Sequence, residues 1–326
     1  MRKSFFVSLI LIFTVLKALS QSAGYTEWYL RTPDSLGHAN QDIYVREINS
    51  GSDTVIVIHG GFGANHDYML DAIKGLETKY HFVLYDQRGS LLSPAPKEKL
   101  TFQKNVNDLD LLVNQLGCKK VKIIAHSMGT LVAMEYAKQH PDKVSNIVLV
   151  GAIFTKSDGI SDIFSNRVAK QTNFLTSRKE ARDLPIWKKY EMVKGNNANN
   201  DDLQANFSSD RERSDFYRLV FALTNIYKID RYKLTKGGFH FFNVEASQMA
   251  ETVNWKFDYR EVLDKNGKTT IINGDFDFID FNGELHKELI KNYNRIKFKL
   301  IKNAGHNIWI DEPELFRKEL DKALKN

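Results

Sequence analysis

Residues 123–130 read IIAHSMGT, an apolar run that breaks at His126-Ser127-Met128-Gly129. The run ends the segment KVKIIA (120–125), whose β-branched residues suit a strand buried on both faces. Helical spacing begins at Met128 and continues to Gln139. Ser127 therefore stands where a strand gives way to a helix. The residues two positions to either side are small, Ala125 and Gly129. A sharp strand-to-helix turn that lifts a serine hydroxyl out of a sheet tolerates only small residues there. The competing reading is a serine that merely caps the next helix.

The surrounding segments repeat this alternation. TVIVIH (54–59), YHFVLY (80–85), KVSNIVLV (143–150), TTIIN (269–273) and RIKFKLI (295–301) are further strand-like runs. Helical patterns lie between them at Asp67–Thr78, Phe102–Leu116 and near Gly283–Asn292, with a closing helix over Pro313–Leu324. Strand-helix alternation implies right-handed crossovers and a mostly parallel sheet flanked by helices. Two earlier strands, YTEWYLR (25–31) and DIYVREI (42–48), are joined by a turn-rich link. The rhythm lapses from Thr155 to Ala250, which is polar with helical pieces such as SDFYRLVFALTNIYKI (214–229). This reads as a helical cap inserted after the sixth strand. The expected organisation is a leader over 1–20, a core in two parts over 21–154 and 251–326, and the cap over 155–250.

The leader stands apart in composition. Arg2 and Lys3 precede an apolar run from Phe5 to Leu16, the layout of a secretory signal peptide cleaved near Ser20 or Ser22. The run is shorter than the roughly 20 residues that span a bilayer, so no stable membrane insertion is expected after cleavage. Loss of Arg2, Lys3 and Lys17 takes the formal net charge from +6 to +3. The remaining cations are interspersed with acids, as in KEARD and DRERSD, which argues against a nucleic-acid partner. Cys118 is the single cysteine, so an intrachain disulfide is impossible; it reads as a small hydrophobe at the mouth of a strand.

An unassisted serine hydroxyl is a poor nucleophile, so a base and a group to orient it are required. Past the strand TTIIN lie Asp275, Asp277 and Asp280, and past the final strand lies His306. Asp277, third after Gly274, is the expected acid, and Asp275 is read as solvated or turn-forming. For His306 the alternative is a helix-capping or surface role. HGGFG (59–63) follows the first long parallel strand; its glycines let backbone amides approach a substrate oxygen, and the amides of Gly61 and Met128 are the expected oxyanion donors. A phosphate cradle is disfavoured because neither a P-loop lysine nor a dinucleotide spacing is present. His59 is read as holding the loop, and His126 as packing.

HGGFG, YDQRGSLLSP (85–94), AHSMG, NGDFD and AGH occur in an order and spacing that resemble the prolyl iminopeptidase group of α/β hydrolases. The resemblance covers Thr54 to the C-terminus. It implies an α/β-hydrolase fold, a Ser127–Asp277–His306 triad, no metal or other cofactor, and release of an N-terminal prolyl or apolar residue from short peptides. Asp86 and Arg88 of the DQRG segment are expected to form a buried pair. In this group cap carboxylates hold the substrate's free amine. Here GGFHFFNVE (237–245) places Gly238 where one such acid would fall, which leaves Glu245 as the substitute, with Glu191 and Asp215 behind it. Phe62 is the expected apolar substrate contact. A carboxylic ester hydrolase using the same triad is the alternative, and a non-enzymatic ligand-binding protein on this fold is a third.

Overall fold

The computed structural model describes residues 24–33, 39–49, 51–159, 162–194, 207–235, 242–266 and 268–325. The leader, and His240 and Phe241 of the cap, lie outside the described residues. The strands are β1 (Tyr25–Pro33), β2 (Ala39–Asn49), β3 (Thr54–Ile58), β4 (His81–Tyr85), β5 (Val121–His126), β6 (Val144–Val150), β7 (Lys156–Asp158), β8 (Lys256–Asp258), β9 (Thr269–Gly274) and β10 (Ile296–Ile301). Eight of them form one sheet in the order β1-β2-β4-β3-β5-β6-β9-β10. β1 and β2 pair antiparallel, as do β2 and β4. From β4 to β10 every pairing is parallel.

Alternate residues of one strand feed opposite cores. Ile56 and Ile58 pack with Ile123 and Leu149 on one face, and Val55 and Val57 with Ile124 and Val148 on the other. Burial on both faces is why these strands read as unbroken apolar runs rather than alternating ones. Helices α1 (Asp67–Ile73), α2 (Phe102–Gln115) and α3 (Gly129–Gln139) follow β3, β4 and β5. α1 is shorter than its sequence pattern predicts. The chain leaves helical geometry at Lys74 and turns through Gly75 at φ +86°, where a Cβ would meet the Arg317 side chain.

After β6 the chain enters α4 (Asp162–Thr176), α5 (Lys179–Arg182), α6 (Pro185–Lys194) and α7 (Asp210–Asn225), then the short α8 (Val244–Ser247). β7 and β8 close the base of this excursion as an antiparallel pair. Three-residue strands as polar as Lys156–Asp158 carry no periodicity, so nothing in the sequence marks them. The chain then passes through α9 (Arg260–Lys265), α10 (Glu284–Ile290), α11 (Ile308–Asp311) and α12 (Pro313–Lys325). No helix among the described residues is long and apolar enough to cross a membrane.

Candidate active site

Ser127 sits immediately after β5 with φ +51°, left-handed backbone that a side chain normally avoids. Its amide donates to the Val150 carbonyl at 3.1 Å, and its carbonyl accepts from Thr130 N at 2.9 Å, so the turn is held on both sides. The small-residue requirement is visible in the packing. A Cβ on Gly129 would lie 2.3 Å from the His59 carbonyl oxygen, and one on Gly60 would lie 2.7 Å from the Ser127 Cβ. Ala125 is fully buried within β5, so one methyl is accommodated where the usual motif has glycine.

His306 and Asp277 project from the loops after β10 and β9, two strands that are paired in parallel. His306 Nδ1 lies 3.0 Å from each carboxylate oxygen of Asp277. Facing a carboxylate, Nδ1 carries the proton, and Nε2 is left with its lone pair free. Asp277 is fully buried, and its Oδ1 also accepts from Ile279 N at 2.9 Å. Asp275 instead shapes the turn, accepting from Ala304 N at 3.2 Å. Asp280 is occupied by His286, whose Nδ1 lies 2.9 Å away. Beneath the His306–Asp277 pair runs Gly151 at φ +52°. A Cβ there would come within 2.8 Å of His306 Nδ1 and 3.2 Å of Asp277 Oδ2. Gly151 follows an apolar strand and looks like an ordinary turn glycine; no sequence signal marks its place under the pair.

The HGGFG loop is fixed from behind. His59 Nε2 accepts from Gln87 N at 3.0 Å, so its Nδ1 carries the proton and donates to the Gly60 carbonyl at 2.9 Å. That carbonyl belongs to the Gly60–Gly61 peptide, so in a trans peptide the Gly61 N–H points the opposite way. Burial lowers the pKa of His59 and keeps the ring neutral. The Gly60 amide donates to the Tyr68 hydroxyl, which lies 2.9 Å from His126 Nδ1. His126 Nε2 in turn approaches the His306 carbonyl at 3.3 Å. Burial, and secondly the neighbouring His306, push the pKa of His126 well below the usual histidine value. Sequence reasoning misses Tyr68, which there is one aromatic on an amphipathic helix.

Asp86 and Arg88 do not pair with each other, contrary to the sequence expectation. Asp86 accepts from His66 N and Nδ1, both at 2.8 Å, and from Leu92 N at 2.9 Å. Burial works to raise its pKa, but the His66 bonds and neighbouring charges outweigh it and the net shift is downward. Arg88 binds Asp108 through Nε at 2.5 Å and Nη2 at 2.7 Å. The DQRG segment thus ties two elements to the HGGFG loop, the start of α1 through Asp86 and α2 through Arg88, and grips the loop itself at His59 through Gln87.

Ser127, His126, His306, Gly60 and Gly61 line one cavity of about 690 Å³. Its walls are largely apolar, with Trp187, Val220, Phe221 and Leu223 from the cap helices, Phe242 from the cap's return segment and Phe278 from the core. Two sequence expectations fail here. Phe62 is 2% exposed and packs edge-on against Phe102 in the core, because the positive φ values of Gly61 and Gly63 turn it away from the cavity. Glu245 is exposed in the first turn of α8 and does not line the cavity. Glu191 and Asp215 do not line it either; Asp215 is engaged by Arg218 at 3.0 Å.

The family model described as alpha/beta hydrolase fold matches residues 53–313. The chain belongs to that family. A proline iminopeptidase, PfmaB of Pestalotiopsis fici, is 25% identical over 282 residues, covering 83% of this chain and 91% of that protein. A putative carbamate hydrolase, RutD of Enterobacter cloacae, is 28% identical over 102 residues, only 38% of that relative's length. Among solved structures, a proline iminopeptidase-related protein from Thermus thermophilus superposes with a TM-score of 0.60 at 20% identity, over 92% of this chain and 98% of that one. An esterase from Exiguobacterium antarcticum gives 0.62 at 20% identity, over 91% and 99%. The structural likenesses establish the fold, and over most of both chains the sequence is similar to that of a proline iminopeptidase.

Proposed function

We propose that this α/β hydrolase works by acyl transfer from Ser127, with His306 as base and Asp277 as the group that orients it. The observation that carries the reading is the His306 Nδ1–Asp277 contact, 3.0 Å to both oxygens, on the wall of the cavity that holds Ser127 in its left-handed turn. His306 Nε2 takes the proton as Ser127 Oγ attacks the carbonyl carbon. The negative charge that develops on the carbonyl oxygen is met by the amides of Gly61 and Met128. His306 then gives the proton to the departing oxygen or nitrogen, and water repeats the sequence on the acyl-enzyme.

For the substrate, the apolar walls favour a small carboxylic ester with an apolar acyl part. Recognition of a free ammonium, which the peptidase reading demands, calls for a carboxylate in the site. None of the described residues lining the cavity is an acid. The proline iminopeptidase reading stands second, supported by the Pestalotiopsis fici relative that matches most of both chains. Matched substrates separate the two: alanyl and prolyl arylamides, their N-acetyl forms, and aryl esters of short acids. Esters and blocked substrates turned over at least as fast as free-amine ones support the esterase reading. A preference of about a hundredfold for the free amine would restore the peptidase. We further propose that residues 1–20 are an export leader, which N-terminal sequencing of protein from the producing cell and its surroundings would test.

A further inference from the structure

The cap contributes two arginines close in sequence, and the structure uses them differently. Arg178 is buried and fully engaged, donating from Nη1 to the Tyr227 carbonyl at 2.6 Å and from Nη2 to those of Leu223 and Ile226 at 2.7 and 2.8 Å. It closes the carbonyl end of α7. Arg182, at the end of α5, lines the cavity that holds Ser127 and His306. Its side chain makes no hydrogen bond among the described residues. Its nearest carboxylate, Glu191, is 3.9 Å away, with both side chains 49% exposed. That distance lies beyond hydrogen-bond reach, so among the described residues nothing uses the donors of the guanidinium. Arg182 is the one Lys or Arg among the described residues lining the cavity, and its long ion pair is with Glu191, which stands outside that lining.

From this we propose that Arg182 is a specificity-determining residue that reads a carboxylate on the substrate, remote from the bond that is cut. The proposal rests on the acyl-transfer reading of the same cavity and narrows its substrate class to anionic esters or amides. A guanidinium offers a planar fork that matches a carboxylate with two parallel bonds. With its side chain 49% exposed, the guanidinium reaches the cavity while staying in contact with solvent, so the pair is open to screening by salt. The carboxylate can stand on the acyl part, as in a half-ester of a dicarboxylic acid, or on the leaving group, as in an ester of a hydroxy acid.

The test uses the whole protein and three chromogenic esters matched in length: neutral, carboxylate at the end of the acyl chain, and carboxylate on the phenolic leaving group. The quantity read is the kcat/KM ratio of each anionic ester to the neutral one. One anionic ester is expected to be favoured by wild type, and the one favoured identifies the side that Arg182 reads. Arg182→Gln should lower that ratio about tenfold, chiefly through KM, and Arg182→Lys should retain part of it. In wild type the ratio should also fall as salt rises from roughly 20 mM to roughly 500 mM, a range over which screening strengthens markedly. A ratio unmoved by Arg182→Gln, or insensitive to salt should that variant fail to fold, overturns the proposal. Failure to turn over all three esters, with no labelling of Ser127 by a fluorophosphonate, overturns the hydrolase reading instead, and this proposal with it.

Discussion

At Tyr68, one hydroxyl couples the two loops that the proposed chemistry needs. Because the Gly60 amide donates to this oxygen, its own proton is directed to His126 Nδ1 at 2.9 Å. His126 then presents Nε2–H to the His306 carbonyl at 3.3 Å. Every donor in that chain meets an acceptor, and its polarity depends on His126 staying neutral, as its burial favours. Tyr68→Phe would leave Gly60 N–H and His126 Nδ1 without partners, loosening the peptide that carries the Gly61 amide. A fall in kcat of roughly 10- to 100-fold with a small change in KM is expected, because an oxyanion donor acts mainly in the transition state. Steady-state kinetics on the best ester checks it; a change confined to KM would show that Tyr68 serves binding instead. Ser127, Asp277 and His306 are legible in sequence because small residues and strand ends mark their places. Tyr68 and Gly151 are not, since their roles come from which chain segments meet in space. Phe62 misleads for the opposite reason, as sequence adjacency to the loop says nothing about which way a side chain faces.

Two elements of the cap are stitched to the two site loops. The fully buried Asp311 accepts from Gly305 N at 2.8 Å, Tyr227 N at 2.9 Å and Lys228 N at 2.8 Å, and so joins the His306 loop to the end of α7. Asn307 N adds a bond to the Asn225 carbonyl at 2.7 Å. On the other side Asn243 N donates to the Gly63 carbonyl at 3.0 Å, which ties the return segment to the HGGFG loop. Burial pushes the carboxyl of Asp311 upward in pKa in spite of these donors. Asp311→Ala would strand the buried Gly305 amide at a cost of about 1–3 kcal/mol before relaxation, and would leave the half-buried Tyr227 and Lys228 amides to water at a smaller cost. Thermal melts should show a loss of several degrees or more, with kcat/KM lowered at least tenfold; Asp311→Asn, which keeps an acceptor, should lie between. The strands and helices that build these junctions are largely readable from periodicity. The junctions themselves are not, because Asp311 sits in a stretch whose sequence signals only the end of a strand and the start of a helix.

Over the whole molecule, the eight-stranded sheet puts the serine, acid and histidine loops at the carboxyl ends of β5, β9 and β10, so His306 reaches the cavity of Ser127 from near the far end of the chain. The alternation of apolar strands and helices announces this architecture. What covers the sheet is less legible, since cap helices of mixed polarity and the two short strands at their base bury little regular surface. The same compact core sets a pH dependence of stability. His59 and His126 have folded pKa values below their ordinary ones, each owing chiefly to burial. The unfolded chain therefore takes up protons below pH ~6.5 that the folded protein refuses, and stability falls as pH drops through that value. Above it both states are neutral at these sites and the contribution is flat. Each histidine contributes a slope of up to about 1.4 kcal/mol per pH unit between pH ~6.5 and its folded value. Denaturant unfolding at pH 7.5, 6.5 and 5.5 should show little change over the first interval and a marked loss over the second; equal stability at all three would show that the two rings protonate within the fold.

The central claim is that Ser127 is a nucleophile activated by His306. Reaction of the purified protein with a fluorophosphonate, read by intact mass and by peptide mapping, tests it most directly. One adduct at Ser127 is expected, absent in Ser127→Ala and slowed by at least about a hundredfold in His306→Ala, with both variants folded. Wild-type protein that does not label, or Ser127→Ala protein that labels as fast as wild type, would contradict the account.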